Sequence, residues 1–109
     1  MADLEPSRGA VIAKTRPVLV LSPDDVGRLP LRIVVPVTDW KDRYELYPWM
    51  TRIDPESDNG LFKPSAADAF QVRSISVLRF TRRLGAVDTD TADLIASAVA
   101  VAVGLPSTE

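Results

Sequence analysis

The sequence predicts a mainly β domain, a small and strongly bent barrel with one C-terminal helix. Three observations lead there. Two short aliphatic runs, Val18-Leu19-Val20-Leu21 and Ile33-Val34-Val35-Pro36-Val37-Thr38, are too short for helices and have the make-up of strands buried on both faces. Further short strand signals are separated by Pro, Gly and Asn-Gly turns. The last segment, from Asp88, has helical spacing, an acidic cap and a glycine stop. With 109 residues, the chain is read as one domain over its whole length, 1–109.

Composition narrows the function classes. Cysteine and histidine are both absent, so disulfides and Cys/His metal sites are excluded. That suits a cytoplasmic protein. No apolar stretch is long enough to span a membrane, and the start lacks a signal-peptide core. The net charge is −2, but it is unevenly spread. All thirteen Lys and Arg fall in residues 8–83 with nine of the fifteen acids, a local net charge of +4. A basic middle in an acidic chain hints at a polyanion-binding face.

Taken in order, Met1–Leu4 reads as the tail of a strand and Glu5–Gly9 as a loop. Ala10–Ala13 is apolar but isolated, suited to a mobile loop or a short edge strand. Lys14-Thr15-Arg16 is the first basic cluster. Pro17 stiffens the backbone and pushes Arg16 towards extended geometry, so Arg16 sits at the mouth of the strand that follows. Ser22–Gly27 can hold one helical turn capped by Ser22. The next strand, Leu31–Thr38, carries Pro36, which argues for an edge or a bulge there. If the two strands pair antiparallel, Arg16 and Thr38 share one edge of the sheet.

Asp39–Tyr44 reads as a loop holding Trp40, and Tyr47–Ile53 as a third strand. Asp54–Gly60 is a turn with an Asn-Gly signal. Leu61–Lys63 begins the return, Lys63–Ala66 interrupts it, and Ala69–Val72 is read as a strand. Val77–Arg83 contributes Arg79, Arg82 and Arg83, better suited to a solvated face or a dimer contact than to a clamp. Gly85–Val87 is the last strand. In the helix, Asp88-Thr89-Asp90 supplies cap chemistry. Leu94, Ile95, Ala98, Val101, Ala102 and Leu105 are expected on its core face. The other face, with Ala92, Ala96, Ser97, Ala100 and Val103, is weakly polar and is read as packing at an interface. Gly104 and Pro106 end the helix.

These residues carry a family resemblance. Thr15-Arg16-Pro17-Val18-Leu19-Val20-Leu21-Ser22-Pro23 resembles the core motif of the MazF/PemK toxins of type II toxin–antitoxin systems. Val35-Pro36-Val37-Thr38, Tyr47-Pro48-Trp49, Gln71-Val72-Arg73-Ser74-Ile75 and Gly85-x-Val87 resemble later signatures of that family, in the same order. Asp3-Leu4-Glu5-Pro6-Ser7-Arg8-Gly9 resembles its first loop. The resemblance implies an SH3-like barrel that forms a homodimer and cuts single-stranded RNA, usually mRNA, without a metal or other cofactor. It also implies a cognate antitoxin of the MazE type lying across the RNA groove. Members usually have a full strand before the Asp-Leu pair, so the first strand is expected to be short here.

The resemblance assigns catalysis to Arg16 and Thr38, and in some members to the arginine matching Arg73. Attack by a ribose 2′-OH needs a proton acceptor, charge stabilisation at phosphorus and a neutralised leaving oxygen. Arg16 can grip phosphate oxygens bidentately, and Thr38 can donate to phosphate or orient the 2′-OH. Lys14, Thr15, Asp39, Gln71, Ser74 and Ser76 are the candidate RNA contacts, and Trp40 or Tyr47 can stack on a base. Trp49 is read as core. Val11-Ile12 stand where many members carry Glu-Gln, and Ser74 and Ser76 stand where some carry an acid. An obvious general base is therefore missing, and Asp39 is the nearest acid by sequence. Two alternatives stay open: a non-catalytic relative that only binds RNA or antitoxin, and a topoisomerase poison of the CcdB kind. The second usually relies on aromatic residues in the terminal helix, and this helix has none.

Overall fold

The computed structural model describes residues 7–23 and 30–105. The strand tail at 1–4, most of the turn at 22–27, the Asp3–Pro6 part of the first loop and Pro106 lie outside the described residues. Seven strands follow in chain order: β1 Ala10–Ala13, β2 Val18–Val20, β3 Leu31–Asp39, β4 Met50–Ile53, β5 Ser65–Asp68, β6 Arg73–Ser76 and β7 Arg82–Ala86. Helix α1 spans Thr89–Ala102. The strands form one antiparallel sheet in the order β4-β5-β3-β2-β1-β7, with β6 also paired to β3.

β3 is the hinge of this sheet. One edge of it pairs with β2, through Val34, Val35 and Pro36. The other edge pairs with β6 over Leu31–Val34 and then with β5 over Val37–Asp39. The N–H of Val37 reaches Pro17 O at 2.9 Å on the β2 side. Strand alternation therefore points the position of Pro36 to the opposite edge, in the gap between β6 and β5. Proline lacks an N–H, and it stands where β3 has no ladder partner to donate to. The sequence expectation of an edge or bulge at Pro36 is corrected: β3 is central, and the proline is accommodated where one edge of the strand changes partner from β6 to β5.

The aliphatic runs are buried on both faces, as expected, except at Ile33, which is exposed. Val11, Leu19, Val35 and Val37 point one way and pack with Ile53, Ala67 and Ile95 of α1. Ala10, Ile12, Val18, Val20 and Val34 point the other way, against Ile75 and Phe80. Ala10–Ala13 is not an edge strand. It pairs with β2 on one side and β7 on the other, with an irregularity between Val11 and Ile12.

Two other expectations are corrected. Ala69–Val72 is not a strand, because the Asp68 carboxylate accepts the Phe70 N–H at 3.1 Å and caps a single 3-10 turn over Ala69–Gln71. The strand lies earlier, at Ser65–Asp68. Likewise Tyr47-Pro48 precede β4, and Met50 N–H folds back to Tyr47 O at 3.0 Å. Ser22 does not act through a described helical turn; its hydroxyl accepts the Ile33 N–H at 3.1 Å and ties the β2 end to β3.

α1 is capped as its sequence indicates. The Asp88 side chain accepts the Thr91 N–H at 2.8 Å; hydrogen bonding from the Thr91 side chain first, and from this N–H second, holds its carboxyl below the usual range. At the other end Gly104, with φ +89°, closes a Schellman motif: Leu105 N–H reaches Ala100 O at 2.8 Å and Gly104 N–H reaches Val101 O at 3.0 Å. The buried face is rotated from the expected one. Ala92, Ile95 and Ala98 are buried, whereas Leu94, Val101 and Leu105 are exposed. Both faces are apolar, so periodicity alone did not decide which one packs.

The 54–60 turn joins the two ends of the sheet. Asn59, 3% exposed, accepts from Glu56 N and Leu61 N and donates to Asp54 O. This holds Asp58 O at 2.8 Å from the Ala86 N–H of β7. Gly60, with φ +73°, passes so close to Leu84 O that a Cβ would collide. Replacing Asn59 with Ala strips three backbone groups of their partner. At about 1 kcal/mol per hydrogen bond, Asn59→Ala is expected to lower unfolding stability by roughly 2–3 kcal/mol, read from the urea midpoint at unchanged slope.

Candidate RNA-cleavage site

One face of the sheet carries a cleft of about 410 Å³. Its position follows from alternation. The β2–β3 register sets Val18 opposite Pro36. Continued through the bond from Val37 to Pro17, it sets Arg16 opposite Thr38 on the same face. Thr38 pairs with Ala66 of β5, so Asp68 shares that face two residues on. Val34 pairs with Arg73, which brings Arg73 and Ile75 in from β6. Lys14 and Thr15 close the site from the β1–β2 turn, and Gln71 and Tyr44 complete the lining.

Six candidates read from the sequence therefore meet here: Lys14, Thr15, Arg16, Thr38, Gln71 and Arg73. Three do not line the cleft. Ser74 and Ser76 alternate to the other face, paired with Ile33 and Leu31. The Ser76 hydroxyl accepts the Leu78 N–H at 3.2 Å. Asp39 meets Lys63 Nζ at 3.2 Å and lines a separate small cavity next to Thr38. The sequence places these residues beside the motif, but period-2 geometry turns neighbours in a strand to opposite faces.

The cleft is cationic. Among the described residues no carboxylate forms an ion pair with Lys14, Arg16 or Arg73. Desolvation lowers the Lys14 pKa from its ordinary value of 10.5, and the charges of Arg73 and Arg79 lower it further. Asp68 is the acid in the lining and is 9% exposed. One of its oxygens accepts the Phe70 N–H, and the other accepts Gln71 Nε2 at 2.8 Å. Asp68 thus fixes both the turn and the amide that faces the cleft.

Sequence reading missed Asp68 and Tyr44. The available signal for Asp68 was an acid two residues before Phe70, which suits an Asx-type cap better than mid-strand. Tyr44 belongs to a run of rings at positions 40, 44, 47 and 49. In the fold these rings make a ladder with Phe70, described below. Among the described residues no group of three or more acids stands close enough to hold a metal ion.

The sequence pattern of the PemK-like, MazF-like toxins of type II toxin–antitoxin systems matches residues 1–103. The chain belongs to this family. Its fold is shared with solved structures. The Mycobacterium tuberculosis toxin MazF-mt6 aligns at TM-score 0.74 and 26% identity over 92% of this chain and 100% of that one. An endoribonuclease from a mycobacterial species aligns at TM-score 0.78 and 23% identity, over 95% and 96% of the two chains. An endoribonuclease in complex with its cognate antitoxin, also mycobacterial, aligns at TM-score 0.78 and 24% identity, over 94% and 99%. No curated protein sequence matches the chain. Among the described residues no helix is long and apolar enough to cross a membrane.

Lys14 gives this MazF-like toxin a pH signature. A lysine is cationic below its pKa, so a lowered value means that charge is lost at lower pH than for an ordinary lysine. Binding of inorganic polyphosphate is expected to weaken on the way up to pH 10.5, in a step that Lys14→Arg removes because arginine stays charged. Calorimetric titration across the alkaline range measures it.

Proposed function

We propose that this MazF/PemK-family toxin is a metal-independent endoribonuclease that cuts single-stranded RNA, mRNA above all, at short sequences. The observation that carries this is the Arg16–Thr38 juxtaposition on one cleft face beside Arg73 and Lys14, three cations and a hydroxyl around a space of about 410 Å³. The names of similar proteins support it: two of them are called endoribonucleases.

In this reading the ribose 2′-oxygen attacks the adjacent phosphorus. A new P–O2′ bond forms, the P–O5′ bond breaks, and the products are a 2′,3′-cyclic phosphate and a 5′-hydroxyl. Arg16 holds the non-bridging oxygens as charge builds on them. Thr38 donates to the same phosphate or orients the 2′-OH. Asp68, the carboxylate of the cleft, accepts the 2′-OH proton directly or through one water. Arg73 neutralises the departing 5′-oxygen, which takes its proton from water. Asp68 fills the role for which the sequence offered no clear residue and for which Asp39, paired with Lys63, is less suited.

A second copy of the chain and an antitoxin are the proposed partners. Exposed Leu31 and Ile33 on β3, Leu78 in the turn after β6, Leu94 and Val101 on α1 and Leu105 just past its end offer apolar area for association. One mycobacterial neighbour was solved with its cognate antitoxin, which supports a segment of that kind as inhibitor here.

The test is cleavage of a long single-stranded RNA in EDTA. The parent is expected to cut at a few sites. Arg16→Ala and Thr38→Ala are expected to lose about 100-fold or more in rate while keeping the parent's circular dichroism. Asp68→Asn, which keeps the shape of the side chain but cannot take up a proton, is expected to slow cutting at unchanged circular dichroism. A parent that binds RNA without cutting it favours the non-catalytic alternative, and a parent that does neither favours a protein target.

A further inference from the structure

All four Trp and Tyr residues of the chain, with one of its three Phe, form one continuous ladder. Trp40 meets Tyr44 edge-on at 5.8 Å, and Tyr44 lies 6.0 Å from Tyr47. Tyr47 stacks on Trp49 at 5.0 Å, and Trp49 lies 5.4 Å from Phe70. The ladder meets the cleft at one ring. Tyr44 lines the cleft itself, and Phe70 sits between the cleft residues Asp68 and Gln71.

A ladder with only a packing role would bury its rings. None of these five is buried, and Phe70 is 67% exposed. The 3-10 turn after Asp68 presents Phe70 outwards while the Asp68 cap holds it in place. Positive charge accompanies the rings. The Arg43 guanidinium lies 5.4 Å from the Tyr44 ring centre, and that of Arg52 lies 5.1 Å from Trp40. Arg52 is also bonded to Asp54 at 2.8 Å, which leaves Arg43 as the better phosphate contact. Exposed π-faces, adjacent guanidinium and continuity with a cationic cleft match a ligand that alternates flat bases with phosphates.

We propose that this ladder is a stacking track for the bases of single-stranded RNA flanking the cut phosphate, with Phe70 as the leading contact and Arg43 on the backbone. The inference rests on the endoribonuclease reading and extends it: affinity for flanking nucleotides comes from stacking, outside the residues that act on the phosphate.

The experiment uses 2′-O-methyl RNA, which lacks the nucleophilic hydroxyl and stays uncut, with inorganic polyphosphate as the base-free polyanion. Both tryptophans of the chain lie in the ladder, so their fluorescence reports directly. RNA is expected to quench it and polyphosphate is not. Phe70→Ala is expected to weaken RNA binding about tenfold and to leave polyphosphate binding unchanged, while Phe70→Tyr restores RNA affinity. Because Phe70 is exposed, the urea midpoint should hold in both variants. The proposal is overturned if the parent cuts RNA yet Phe70→Ala binds 2′-O-methyl RNA as tightly as the parent. It also fails if RNA and polyphosphate are weakened equally. Loss of antitoxin affinity alone assigns the ladder to a protein partner and overturns it too. A parent that neither cuts nor binds RNA is a different failure, one that removes the endoribonuclease reading itself.

Discussion

The hydrogen bond from Val37 N–H to Pro17 O, 2.9 Å long, is the contact on which the site depends. It carries the β2–β3 register past the last residue of β2 and so sets Arg16 across from Thr38. Pro17 contributes through its constraint: φ is fixed, the residue before it is kept extended, and its carbonyl stays available as an acceptor. A slip of one residue would turn either side chain to the opposite face, into the layer filled by Leu19, Val35 and Val37. The aliphatic core therefore enforces the register that the cleft uses. Stability and placement of the polar pair have the same cause here.

A second proline explains why there is a cleft at all. At Pro36 one edge of β3 has finished pairing with β6 and has not begun with β5. The missing N–H falls where no strand needs it. The two partner strands diverge around this point, and the chain between them, Ala69–Val72, turns instead of extending. That turn brings Asp68, Gln71 and Arg73 to the opening. The polar lining is thus made by the ends of strands, where side chains can be charged without burying that charge among the aliphatic residues.

Electrostatics and aromatic surface divide the cleft between them. Desolvation first, and the neighbouring charges of Arg73 and Arg79 second, depress the Lys14 pKa. The single lining carboxylate also orients its neighbours, one bond to each oxygen. The aromatic wall beside it has no net charge of its own and offers π-faces with guanidinium support. The exposed apolar residues of α1 and of the β3–β6 region are not among these lining residues.

How much of this was legible in the chain depends on the range of the forces involved. The β-rich class, the two doubly buried strands, the 54–60 turn and both ends of α1 were local: each follows from proline, glycine, Asx chemistry or a short aliphatic run. The Arg16–Thr38 pairing was also legible, because antiparallel pairing of two such strands has one sensible register. The centrality of Ala10–Ala13 was not, since four apolar residues carry no sign of how many neighbours a strand has. Nor was the fate of Ala69–Val72, where one side-chain cap outweighs strand propensity, or the facing of α1, whose two sides are almost equally apolar. Asp68 and Tyr44 come to the cleft only through long-range pairing, and Ser74 and Ser76 leave it by the same alternation that brings Arg73 in. The sequence by itself determined Arg16, Thr38 and Arg73 as candidates; tertiary structure decided which residues share a face and added Asp68 to them, because a strand's side chains alternate but only its partners say which side is the site.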